Sequence, residues 1–476
     1  MSNIYNYIDE GCGSGKTHWL INEINATKER YIIVQTKLDL LVQTFKEIPS
    51  GKIIDSNDFD EKNVEMSIVE FLKFPNARVL GITHKSFAKI DPNLLLNWDI
   101  YLDDIVSFHD YNAFNESDPK VKAILENDIF TNFNKTLASE KYLLANKKQK
   151  IKGDFLIEIS KKFDVIQSND YFALNASYFS KLENKDYNPE ITQLTTLAWT
   201  NINKYSKCKL TFMANNFKQS LLYLSNPSLF THKEIPVRAR KIPVSERLKV
   251  KYFCKSFSLT KNYRTSFAED FSRVVNYINK ELKGIEYYYT KNSKERFELN
   301  GLKVPFITRG MNNLQKYNTA VWLSSAHPAP VEEKMVELFL NITSKQIVQC
   351  REYEALEQFV QRGVLRDFDS DEIMTVYVFD EKQAMSLCSK GGDIEYIDIG
   401  LDDNEGEKPK KSGGQVKESL IDVPKKLQDA FSQWKKSNKE KSDLLVRYEK
   451  WKTKQLEAYK KLGNKDFENF DKQIYK

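Results

Sequence analysis

Glu10-Gly11-Cys12-Gly13-Ser14-Gly15-Lys16-Thr17 follows the apolar run Ile4-Tyr5-Asn6-Tyr7-Ile8 and runs directly into His18-Trp19-Leu20-Ile21. A β-type segment, a glycine-rich turn and an amphipathic segment in that order predict strand, loop and helix. Glycines let successive backbone N–H groups turn inward around phosphate oxygens, and the following helix N-terminus adds positive potential. Gly11, Cys12, Gly13, Ser14, Gly15, Lys16 and Thr17 are therefore the expected phosphate cradle. Lys16 is expected to reach the β- and γ-phosphates, and the Thr17 hydroxyl to ligate Mg²⁺. Glu10 stands where the strict pattern has glycine.

Further apolar, β-branched runs follow at Tyr31-Ile32-Ile33-Val34, Val79-Leu80-Gly81-Ile82 and Ile100-Tyr101-Leu102, separated by helical patterns. This alternation predicts an α/β fold with a parallel, doubly wound sheet. The third run ends in Asp103-Asp104. A nucleotide-bound Mg²⁺ needs a carboxylate and an attacking water needs a base, so Asp103 suits the metal and Asp104 the base. A second α/β segment begins near Ile242, with strands expected at Val304-Pro305-Phe306-Ile307, Ala320-Val321-Trp322-Leu323 and Met374 to Phe379.

The chain has 476 residues, 41% hydrophobic and 29% charged, with a formal net charge of +6. That length calls for more than one core, and the composition is that of a globular protein. No apolar run approaches the roughly 20 residues a membrane span requires. The glycine loop lies so near the N-terminus that no cleavable leader is expected, which implies a cytoplasmic protein. Cys12, Cys208, Cys254, Cys350 and Cys388 are scattered without a CxxC pair, which argues against a zinc module or disulfide scaffold. Asp367, Asp369, Asp371 and Glu372 read as a turn before a strand, not a nuclease centre. Trp19 and Trp98 read as core.

Residues 1–236 are expected to form the first lobe, with a helical insertion at about 107–189, and 237–401 the second. Asp402 to Gln415 is charged and rich in Gly and Pro, a linker. In 416–476 lysines accompany Leu427, Phe431 and Trp434, then Leu444, Tyr448 and Trp451, at helical spacing. A basic helical tail is expected there, contacting nucleic acid or a replication-protein partner.

With these features in order, the chain resembles the superfamily 2 helicases, broadly the DEAD/DEAH-like group and those of phages and mobile elements. Val34-Gln35-Thr36-Lys37 resembles their first strand-end nucleic-acid contact, and Gly81-Ile82-Thr83-His84-Lys85-Ser86-Phe87 the next. Leu210 to Asn215 resembles the Ser/Thr-Ala-Thr motif that couples hydrolysis to lobe movement. Thr308-Arg309-Gly310-Met311-Asn312 resembles a second-lobe motif that touches nucleic acid and nucleotide. Gln358 to Arg366 resembles the Gln-x-x-Gly-Arg-x-x-Arg motif, with Gln361 at the glycine position and the second arginine one residue late.

The resemblance implies two RecA-like parallel-sheet lobes, ATP as nucleotide and Mg²⁺ as its ion. It implies Gln358 beside the nucleotide, Arg362 and Arg366 as fingers on the γ-phosphate, and Gln35, Thr36, Lys37, Thr83, His84, Lys85 and Asn312 against nucleic acid. Single-stranded DNA is the expected track, by likeness to replication and recombination helicases, placing the protein in a host cytoplasm if phage-encoded. The alternatives are a terminase-type packaging ATPase and a non-catalytic nucleic-acid adaptor.

Overall fold

In the computed structural model the structure describes residues 4–55, 61–103, 108–115, 130–137, 140–145, 171–174, 193–293, 295–311, 313–389 and 391–401. The linker, the lysine-rich tail, Asp104 and Asn312 lie outside them.

The first lobe is built on strands β1 (Tyr5–Asp9), β2 (Tyr31–Gln35), β3 (Gly51–Ile53), β4 (Val79–Thr83), β5 (Asp99–Asp103), β11 (Lys209–Ala214) and β12 (Phe230–His232). They pair in the order β12-β1-β11-β5-β2-β4-β3, every pair parallel. Helices α1 (Lys16–Ala26), α2 (Leu38–Phe45), α3 (Glu61–Lys73) and the short α4 (His84–Phe87) follow β1 to β4 in turn. Both faces are covered. Ile32 and Val34 of β2 join one core while Tyr31 and Ile33 join the other, and β5 divides in the same way between Ile100 with Leu102 and Tyr101. That is why these strands read as unbroken apolar runs.

The second lobe repeats the plan with β13 (Leu248–Cys254), β14 (Tyr288–Lys291), β15 (Leu302–Lys303), β16 (Thr319–Leu323), β17 (Met374–Asp380) and β18 (Asp393–Tyr396), ordered β15-β14-β16-β17-β13-β18 and again all parallel. Val376 and Val378 face one core, Tyr377 and Phe379 the other. The expected pair of parallel sheets is present, and both belong to one compact unit of the chain.

Within the insertion expected to be helical at about 107–189, the described residues form strands β6 (His109–Asn115), β7 (Phe130–Leu137), β8 (Glu140–Ala145) and β9 (Tyr171–Leu174), and β10 (Gln193–Trp199) follows it; the rest of that expectation lies outside the described residues. β10 pairs antiparallel with both β6 and β9, from Gln193↔Asn115 to Trp199↔His109 on the β6 side. Its aromatics are dispersed among Asn, Asp and Lys, and its partner strands are distant in sequence, so no local period announces them. The strand expected at Val304 to Ile307 ends instead at Lys303. Pro305 has no N–H to continue the ladder.

One glycine fixes the loop that carries the expected fingers. A Cβ on Gly363 would lie 2.7 Å from the Tyr317 carbonyl oxygen and 2.9 Å from the Met374 sulfur. The neighbouring Val364 N–H donates to that same carbonyl at 3.0 Å. Gly363→Ala is expected to lower stability by about 1–3 kcal/mol through overpacking, read as a lower urea midpoint at unchanged slope; an unchanged midpoint would contradict the close approach.

Candidate nucleotide site between the lobes

The site is assembled at the carboxyl ends of the first-lobe strands, where open parallel sheets leave a crevice. Gly13 and Gly15 hold φ of 82° and 92°, a left-handed backbone that side chains disfavour, and Gly15 leads directly into α1. Lys16 Nζ donates to the carbonyls of Glu10 at 2.6 Å and Gly11 at 3.0 Å, so the ammonium is parked on the loop itself. Burial pushes the Cys12 thiol up to about 11, which keeps it protonated and inert in the loop. Ser14 is buried beneath the loop.

Thr17 Oγ1 donates to Asp103 Oδ2 at 3.0 Å. The same oxygen accepts from Gln35 Nε2 at 2.7 Å, and Gln35 Oε1 in turn accepts from Thr44 at 3.3 Å. Gln35, expected against nucleic acid, is therefore corrected to a buried residue that orients Asp103. The register places them side by side, Gln35↔Asp103 across β2 and β5.

From the second lobe, Gln358, Arg362 and Arg366 line the same cavity of about 340 Å³ as Cys12, Gly13, Gly15, Lys16, Thr17, Gln35 and Asp103. Gly11 and Ser14 complete the loop without lining it.

The remaining expected contacts separate into groups. Lys37 and Lys85 are exposed cations, and Lys37 Nζ crosses to the Arg309 carbonyl at 3.0 Å. Thr36 is half-buried, and Thr83 caps α4 by accepting from Ser86 N–H. His84 is pushed down to about 4, chiefly by burial and then by the Arg309 charge, so it stands as a neutral ring in the wall.

Three residues that the sequence reading passed over hold the cleft together. The connector Pro236-Val237-Arg238-Ala239-Arg240-Lys241-Ile242-Pro243 runs over the glycine loop, with Arg238 N–H donating to the Ser14 carbonyl at 3.1 Å. Arg240 donates to the Cys12 carbonyl at 3.4 Å on one lobe, and to Gln361 Oε1 at 2.8 Å and the Leu365 carbonyl on the other. Its guanidinium lies 3.8 Å from the centroid of Phe368. A Cβ on Gly13 would approach that ring to 2.8 Å. Burial, then the Arg247 charge, holds Arg240 down to about 10, still a cation at neutral pH. Arg247, 1% exposed, spans the carbonyls of Val364, Asp367 and Glu372 at 2.8–3.0 Å and so shapes the arginine loop from beneath. A pair of arginines between two prolines was the available signal for the connector.

The third is Glu354, at the start of the helix Glu354–Val360. Its carboxylate accepts from Asn215 and Asn216, which follow β11, at 2.7–3.2 Å, and from Gln358 Nε2 at 2.8 Å. Gln358 also accepts from Arg309 at 3.3 Å. Burial, then the Glu357 charge, pushes Glu354 up to about 7 against the pull of these amides. The segment resembling the coupling motif thus meets the helix that leads into the arginine loop through one buried carboxyl.

No family model matches the chain, and no curated protein matches it. Among solved structures it is similar to an XPD helicase, at 12% identity and a TM-score of 0.48, covering 83% of this chain and 96% of that one. It is similar to S. tokodaii Xpd4 at 9% identity and 0.45, covering 83% and 96%. S. cerevisiae Dbp5, solved bound to RNA and ADP BeF3, is similar at 11% identity and 0.38, covering 84% and 88%.

Two outcomes follow from the bridging groups. Arg240→Ala removes one donor set from both lobes at once and is expected to lower stability by about 1–3 kcal/mol, while Arg240→Lys, lacking the planar fork, restores less than half; equal stability of all three in urea titration would deny the bridge. A carboxyl raised by burial contributes stability that is fully present below its free value of 4.5 and is lost as pH rises through about 7. Over that window wild type should lose roughly 3 kcal/mol relative to Glu354→Gln, seen as thermal midpoints that differ at pH 5 and pH 8 by unequal amounts. Parallel pH profiles for the two proteins would exclude it.

Proposed function

We propose that this chain is a nucleic-acid-stimulated ATPase of the superfamily 2 helicase kind, which moves along or unwinds nucleic acid by opening and closing its two lobes. The observation that supports it most is a single cavity faced by Lys16, Thr17 and Asp103 from one sheet and by Arg362 and Arg366 from the other. A triphosphate is the ligand that uses both halves.

The residues present fit a magnesium nucleotide. Thr17 and Asp103 offer two hard oxygens at one point, and among the described residues no larger ligand cluster is found. That suits Mg²⁺, which takes one or two protein oxygens and fills its shell with phosphate and water. Thr17 and Asp103 would hold the ion, which would supply positive charge to offset that of the phosphates.

The chain's own part is positional. The N–H groups of the glycine loop cradle the phosphates, and Lys16 swings from the Glu10 and Gly11 carbonyls onto them. Gln35 keeps Asp103 aimed at Thr17. Arg362 and Arg366, held by Gly363 and Arg247, stabilise charge on the transferring group only when the cleft is shut. Asp104 is proposed as the base that aligns water. Closure is transmitted through Gln358 and Glu354 to Asn215, and the exposed Lys37 and Lys85, with Thr36, Thr83 and Asn312, are proposed to grip backbone phosphates irrespective of sequence. Single-stranded DNA, in replication or recombination, is the proposed track, on the likeness to phage and mobile-element helicases.

Phosphate release measured with and without single-stranded DNA tests the reading. Wild type should be stimulated, Lys16→Ala should release almost nothing, and Arg362→Ala should turn over roughly 10³–10⁵ times more slowly. Equal, negligible release from all three would favour the non-catalytic adaptor. Turnover accompanied by cleavage of the strand would favour a packaging motor.

A further inference from the structure

A second cavity, about 770 Å³, has Glu354, Gln358 and Arg309 in its lining. Gln358 lines both cavities. The nucleotide reading leaves this second space unused. Its size falls within the range of small-ligand pockets, roughly 300–1,000 Å³.

Its walls are aromatic and come from both lobes. Phe108, Tyr111 and Trp199 belong to the root of the strand insertion, and Phe306 and Phe339 to the second lobe. Trp199 on β10 and Phe339 on the helix Pro330–Leu340 stand 5.1 Å apart between centroids, inclined by 40°. The cavity also has a built polar side. Arg351 is paired with Glu332, which is buried, and lies 3.2 Å from His109 Nε2. Burial, then that guanidinium, pushes His109 down to about 3, leaving a neutral ring. The Tyr111 hydroxyl is buried and has no hydrogen-bond partner among the described residues.

A ligand matching this lining is flat, apolar on its faces and hydrogen-bonding on its edge. A nucleobase has that chemistry, and base–aromatic stacking tolerates any sequence. Resting on the nucleic-acid reading above, we propose that this cavity receives an unpaired base of the bound single strand, stacked among Trp199, Phe339 and Tyr111. An inserted base presses on the wall that contains Gln358 and Glu354, so the nucleotide cavity senses it directly.

The test compares two end-labelled strands of equal length, oligo-dT and a fully abasic tetrahydrofuran strand, by fluorescence anisotropy at fixed salt. Wild type is expected to bind oligo-dT more tightly. Trp199→Leu is expected to reduce that preference at least about fivefold, the lower end of a stacking contribution, without changing affinity for the abasic strand. Equal weakening on both strands, or an unchanged preference, overturns the inference. Because Trp199→Leu can disturb folding, unmutated protein is also irradiated with a strand carrying 5-iodouracil. Crosslinks mapping to Trp199, Tyr111 or Phe339 support the pocket, and crosslinks confined to other surfaces overturn it. Binding of neither strand would instead remove the nucleic-acid reading itself.

Discussion

One guanidinium joins the two halves of this molecule at the place where they must cooperate. Arg240 holds the carbonyl of Cys12 in the glycine loop and, with the same planar group, Gln361 and Leu365 beside the opposing arginines. An ammonium could satisfy one of these but not the divergent set. The connector is thereby more than a tether. It ties the glycine loop to the segment that carries Arg362 and Arg366.

The supporting contacts show the same economy. Asp103 Oδ2 is shared by Thr17 and Gln35, so the carboxylate is held in one orientation. Arg247 has its charge buried and uses backbone carbonyls as its partners. Burying such a group is costly unless its hydrogen bonds are met, and here they hold the arginine loop in shape. Thr17 on α1 with Asp103 at the end of β5, and Gly363 against the Tyr317 carbonyl, likewise fix position through close contacts.

The sequence disclosed the parts whose meaning is local. The glycine loop, the buried strands β2, β4 and β5 and the helix after Lys16 announce themselves by composition and spacing, and the strand-end Asp103 by its place beside them. What escaped depends on long-range pairing. β6 and β10 find each other across the whole insertion, so Tyr111 and Trp199 carried no sign of sharing a wall. Gln35 was assigned to nucleic acid because its motif was read alone; only the register opposite Asp103 reveals its task. Glu354 stood just outside the recognised Gln358–Arg366 segment, and its importance arises from Asn215 and Asn216, which belong to the other lobe.

The carboxyl of Glu354 makes the junction between the lobes a proton-binding element. Enclosed between the lobes it holds a proton near neutrality, whereas a water-filled, open cleft would return it to the ordinary carboxylate range. Exposing this carboxyl to water at neutral pH would therefore release a fraction of a proton. Buffers of different ionisation enthalpy would register that release as heat.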